Sequence, residues 1–163
     1  MTKKILLIAT LVFTLDQISK AVINITMSVG TSICVIPDFF YLTYYQNSGA
    51  AWGILKSKQL FLSIISIIML IIIYHYMYSF KRNKRNTLAF GLLIGGILGN
   101  LLDRLIFGYV KDFLHFYIFD YNFPIFNISD IAIVIGIFLI IIAVLKGEEV
   151  NGRNKSNKRR TSG

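Results

Sequence analysis

Asp112 and Asp130 are the residues of this chain whose type and setting best suit them to chemistry. They belong to a larger group. Five of the eight acidic residues fall in or beside segments apolar enough to sit in lipid: Asp16, Asp103, Asp112, Asp130 and, less deeply, Asp120. An ionised carboxylate at the centre of a membrane helix costs about 2.5 kcal/mol or more, so acids kept there mark functional sites by default. Two carboxylates held about 3 Å apart cannot both ionise and share one proton. One then serves as base toward a water while the other, protonated, polarises a carbonyl. That is the chemistry of an aspartic protease. Asp103 has Arg104 beside it, which fits a fixed structural charge better. A Ser–Lys pair, Ser48 or Ser129 with Lys20, is a weaker candidate. Cys34 has no base near it in sequence, and with His75 and His115 it gives no metal-ligand spacing, so neither a metal nor a cofactor is expected.

The elements that must position these acids are membrane helices. The chain has 163 residues, 55% hydrophobic and only 15% charged, with a mean hydropathy of +0.65. A soluble domain would carry about 25% charged residues. The net charge of +9 could suggest nucleic acid. The basic residues, however, sit in short flanks between apolar runs, which is a topology signal and not a binding face. Spans of about 20 residues are needed to cross a bilayer, and four are expected: Ile5–Asn24, Leu60–Phe80, Thr87–Phe107 and Ile128–Leu145. Twelve basic residues fall in the N-terminus, the second-to-third connection and the tail, so both termini are expected to be cytoplasmic. Residues 1–147 read as one integral-membrane domain and 148–163 as a basic, disordered tail touching anionic lipid.

Two segments then face outward. Residues 25–59 contain I-C-V-I-P-D-F-F-Y-L-T-Y-Y, which predicts a short β-hairpin around Pro37-Asp38. Residues 108–127 are crowded with Phe and Tyr. They read either as an aromatic belt at the headgroup level or as a lid over a site. With this topology Asp16, Lys20, Asn100, Asp103, Arg104, Asp112, Asn127 and Asp130 share one outer-leaflet layer, and Asn47 can join it. Each has a bland alternative. Asp16 and Lys20, spaced i, i+4, can simply pair while Lys20 snorkels outward. Asp103 and Arg104 can form an interfacial ion pair. Asn127 can cap a helix whose first turn holds Asp130. Gly95-Gly96-x-x-Gly99, inside an apolar helix, reads as close helix packing. A structural bundle has no need of so many ionisable groups at one depth.

The blocks D-Q-I-S-K (Asp16–Lys20), N-S-G-A-A-W (Asn47–Trp52), G-N-L-L-D-R-L-I-F-G-Y-V-K-D-F (Gly99–Phe113) and F-N-I-S-D (Phe126–Asp130) resemble the four motif blocks of bacterial lipoprotein signal peptidases, or signal peptidase II. The resemblance spans nearly the whole chain. It implies that Asp112 and Asp130 are the catalytic pair. It also implies that Asp16, Lys20, Asn47, Gly49, Asn100, Asp103, Arg104 and Asn127 line or support the site. Ser129 departs from it, standing where the family commonly has Ala. The implied fold is an all-α polytopic membrane protein of four transmembrane helices, with a small extracytoplasmic β-hairpin or cradle and an interfacial aromatic-rich segment. The implied activity is removal of the signal peptide from diacylglyceryl-modified prolipoproteins just before the lipidated cysteine, by a monomer in the bacterial plasma membrane with its site near the extracytoplasmic leaflet. The implied partners are that substrate and membrane lipid, with no metal and no nucleic acid. The competing reading is a small proton-coupled transporter subunit. It predicts acids strung through the membrane depth and internal repeats, and the sequence has no such repeats.

Overall fold

A computed structural model describes residues 2–49, 55, 58–119 and 121–150. Among them four helices are long and apolar enough to cross a membrane. These are α1 (Thr2–Thr26), α2 (Gln59–Tyr76, continued by a 3-10 turn Met77–Ser79), α3 (Lys84–Phe107) and α4 (Ile128–Leu145). Between α1 and α2 run strands β1 (Ser32–Ile36) and β2 (Phe40–Asn47); between α3 and α4 run β3 (Val110–Ile118) and β4 (Tyr121–Asn122). Asp120, Trp52 and the tail beyond Val150 lie outside the described residues.

The helices are turned inside out relative to those of a soluble protein. In α1 the buried positions Ile5, Ala9, Asp16, Lys20 and Ile23 fall on one face, while Leu7, Leu11, Leu15, Ile18 and Val22 are more than half exposed. Apolar surface outward and charge inward is what lipid demands, since no water there can solvate a carboxylate. Helix α3 is the axial helix, packed against α1, α2 and α4. Small residues let it approach both outer neighbours. A Cβ at Gly95 would stand 2.6 Å from the Ala9 carbonyl oxygen of α1, and one at Gly96 would stand 2.6 Å from the Ser129 carbonyl oxygen of α4. The glycine spacing in α3 is thus close helix packing, as its sequence indicates.

At one end of the helices the chain forms a four-stranded antiparallel sheet in the order β1-β2-β3-β4. The expected hairpin is present, turning through Pro37 and Asp38, and Asp38 is left-handed at φ 58. It is only half of the sheet. The stretch 108–127, read from sequence as belt or lid, instead supplies β3, paired with β2. The run V-K-D-F-L-H-F-Y-I has the β-branched and aromatic content a strand favours, and Gly108, left-handed at φ 73, closes α3 and turns the chain into it. Aromatic rings brace the sheet. Phe116 stacks on Phe40 at 4.6 Å and on Phe126 at 5.7 Å.

Two contacts place the site. Irregular register in β2 between Leu42 and Tyr45 sets Tyr45 opposite Asp112 and Asn47 opposite Val110. The Phe126 carbonyl accepts from both Phe113 N and Leu114 N, which lays residue 127 beside Asp112. A buried group of Ile23, Met27, Tyr44 and Phe113 seats the sheet on the end of α1. At the other end of the helices Glu148, assigned by sequence to the tail, is tied back. Its carboxylate accepts from Asn83 and Asn86 and pairs with Arg85.

Candidate active site

Three asparagine amides organise the centre, and each is aimed by what its carbonyl accepts. Asn100 of α3 accepts from Lys20 Nζ at 3.0 Å, so its NH2 group turns to Asp130 Oδ1 at 2.8 Å. Asn127 caps α4 by accepting from Asp130 N at 3.0 Å, and its NH2 group reaches Asp112 Oδ1 at 2.6 Å. Asn47 accepts from Gly49 N at 2.9 Å, and its NH2 group reaches Asp112 Oδ2 at 2.9 Å. The backbone N–H of Asn127 donates to Asp130 Oδ2 at 3.1 Å, completing a reciprocal capping box. Every oxygen of Asp112 and Asp130 thus accepts one hydrogen bond from a neutral donor.

Behind them lies a charge cluster. Lys20 is 2.8 Å from Asp16 Oδ2 and 3.2 Å from Asp103 Oδ2, and Lys111 is 3.0 Å from Asp103 Oδ1. Asp16 and Asp103 are fully buried. Asp16 also accepts from Ser129 N at 2.9 Å, satisfying a second free N–H at the start of α4 from a different helix. Two carboxylates against two ammonium groups leave this cluster neutral. Among the described residues no cation lies within ion-pair distance of Asp112 or Asp130. They are therefore free to change protonation state, as catalytic carboxyls must. Burial, followed by the negative charge of Asp130, pushes Asp112 up from the usual 3.8 to about 7 against the opposing bonds from Asn47 and Asn127.

Both carboxyls open onto a cavity of ≈ 580 Å³. Asn47, Ser66, Asn100 and Arg104 complete its polar part, and Ile97, Val110, Phe123, Phe126, Ile131 and Val134 are among its apolar walls. That is the size and character of a site for a ligand with a large apolar part and one polar reacting region.

All ten site residues expected from sequence meet here, with local corrections. Asp112 stands on strand β3. Lys20 does not snorkel outward; it is 1% exposed and held by Asp16, Asp103 and Asn100. Asp103 pairs with two lysines and not with Arg104, whose closest hydrogen bond is a 3.4 Å contact with the Asn100 carbonyl. No hydrogen bond joins Asp112 directly to Asp130; Asn127 bridges them, since its side chain and backbone N–H each take one carboxyl. A Ser–Lys pair has no support, because the buried Ser129 hydroxyl has no partner and Lys20 is engaged with acids. Sequence reasoning missed Lys111, and Gln17, which donates to Asp16 at 3.1 Å and to the Gly99 carbonyl at 3.2 Å. The sequence carried no signal for Lys111, because Arg104 stood beside Asp103 as an adequate partner.

Comparison with known proteins shows the family of the chain. The chain matches the family model of signal peptidase (SPase) II over residues 8–146. It belongs to the signal peptidase II family. It is 46% identical to the lipoprotein signal peptidase of Staphylococcus aureus over 154 residues, 94% of each chain. Two solved structures of a bacterial membrane enzyme, obtained by the in meso method at 2.3 and 1.9 Å resolution, are similar to it. The first has a TM-score of 0.81 and 44% identity over 91% of this chain and 92% of that one. The second has a TM-score of 0.78 and 46% identity over 87% and 92%. This signal peptidase is thus a multi-pass bacterial membrane protease that processes lipoproteins. Family membership sets the transporter reading aside.

Proposed function

We propose that this signal peptidase is an aspartic endopeptidase in which Asp112 and Asp130 activate a water. The substrate is a diacylglyceryl-modified prolipoprotein, cut just before its lipidated cysteine. The observation that carries the reading is that two carboxyls without cationic partners, aimed by three oriented amides, open together onto one largely apolar cavity. With Asp112 titrating near 7, a pair holding one proton is well populated at neutral pH. The ionised carboxylate takes a proton from a water lying between the two. The protonated partner donates a hydrogen bond to the scissile carbonyl, and the water oxygen forms the new bond to its carbon. Collapse of the tetrahedral intermediate returns that proton to the leaving amide nitrogen. Asn127, Asn100 and Asn47 hold both carboxyls still throughout, which is how orientation lowers the barrier. The apolar walls suit the acyl chains of the lipidated cysteine. The twelve basic residues support cytoplasmic termini and, with them, a sheet and site at the extracytoplasmic leaflet.

The test is cleavage of a diacylglyceryl-modified prolipoprotein in detergent by wild type, Asp112→Asn and Asp130→Asn. Each substitution conserves volume and is expected to abolish cleavage while the protein stays folded. Cleavage retained by either variant would sink the assignment.

A further inference from the structure

Lys111 takes no part in the steps above. It precedes Asp112 on β3, so the alternation of a strand sends the two side chains to opposite faces. Asp112 lines the cavity and Lys111 does not. Lys111 is nonetheless 5% exposed. Its ammonium lies 3.0 Å from Asp103 Oδ1 and 3.4 Å from the centroid of the Phe107 ring. Its backbone N–H donates to Asp103 Oδ2 at 3.1 Å. Asp103 therefore grips residue 111 twice, by main chain and by side chain. Removing an ammonium from water is costly unless its partners offset the loss, and a strand interior does not require one.

Charge balance gives the reason for it. Without Lys111, Asp16 and Asp103 would share the single ammonium of Lys20. A net negative charge would then stand behind two carboxyls of which one must ionise. We propose that Lys111 is a positioning residue for the Asp112–Asp130 pair, pinning β3 to α3 and cancelling the surplus charge behind Asp112. The proposal rests on the aspartic reading above. The other ionisable groups of this region are Asp16 and Lys20 on α1, Asp103 and Arg104 on α3, Asp130 on α4, Tyr45 opposite Asp112 on β2, and Tyr109 with its partner Tyr44.

The test follows kcat/KM from pH 5 to 9 for the full chain in detergent, with a diacylglyceryl-modified prolipoprotein as substrate. A unit charge about 10 Å away, acting through an effective dielectric constant of about 20, moves the titration of a carboxyl by about one pH. Both limbs of the Lys111→Met profile are therefore expected to move up by about one pH. On the acid limb, where kcat/KM follows the ionised fraction, the variant falls up to about tenfold below wild type, and on the alkaline limb it rises above wild type by up to a similar factor. Lys111→Arg retains the charge and the wild-type profile. If Lys111→Met does not accumulate as folded protein, the neutral Lys111→Gln carries the same expectation. An unmoved profile in the neutral variant, or an equal loss at every pH, overturns the proposal. Asp112→Asn, assayed alongside, separates the two ideas. Cleavage by that variant defeats the aspartic reading itself, whereas an inactive Asp112→Asn with an unmoved Lys111→Met profile defeats only the role of Lys111.

Discussion

Asp112→Asn should make this protease more stable at alkaline pH while removing its activity. The wild-type carboxyl titrates at about 7 in the folded protein against 3.8 in its ordinary state. A folded state that binds the proton more tightly than the unfolded chain loses stability as pH rises between those two values. Below pH 4 the carboxyl is protonated in both states and there is no penalty. Above pH 7 the penalty is complete, about 4 kcal/mol at 1.36 kcal/mol per pH. Asparagine never ionises, so it escapes this cost. It also brings an NH2 group where Asp112 presents an acceptor, either to Asn47 or to Asn127. Losing one of those buried bonds costs about 2 kcal/mol. The net expectation at pH 8 is a gain of about 2 kcal/mol, or roughly 5 °C in Tm. The gain shrinks as pH falls and gives way, near pH 4 and below, to a loss approaching the roughly 2 kcal/mol of the missing bond. Thermal unfolding of both proteins in one detergent, across pH 4 to 8, measures it. A variant less stable than wild type at pH 8, or a gain independent of pH, would refute the claim that burial of an ionised Asp112 strains the fold.

Asn127→Ser should separate capping from catalysis. Serine is as good an N-cap as asparagine, so stability is expected to fall by no more than about 2 kcal/mol for the lost amide bonds. Cleavage should drop by a hundredfold or more, because Asp112 loses the donor that ties it to the start of α4; a change of less than tenfold in kcat would count against that role. Gly99→Ala should be severe. Its Cβ would stand 2.6 Å from Asp16 Oδ2 and against the Ser129 hydroxyl, and Asp16 cannot retreat without leaving Lys20 and Ser129 N. A loss of about 3 kcal/mol is expected, read as a lower Tm in detergent, and an unchanged Tm would show that the three helices are less tightly apposed.

The spans, the hairpin and ten candidate site residues were legible in the sequence, whereas Lys111 and Gln17 were not. Those properties are local or compositional. Twenty apolar residues span a bilayer whatever their neighbours do, Pro37-Asp38 turns a chain between β-branched runs, and buried acids in lipid imply a use. Asn127 as a cap also follows from its place before an apolar run with Asp130 three residues on. Orientation and partnership were decided only by the tertiary structure. Nothing in D-R identifies the partners of Asp103 as Lys20 and Lys111, since those bonds exist only once α1, α3 and β3 meet. The aromatic segment becomes a strand because β2 offers it an edge. No direct hydrogen bond joins Asp112 to Asp130, because Asn47, Asn100 and Asn127, from three parts of the chain, supply their donors. Residue types announce which charges are costly, and packing alone decides which of them are neutralised and which two are left able to take and give a proton.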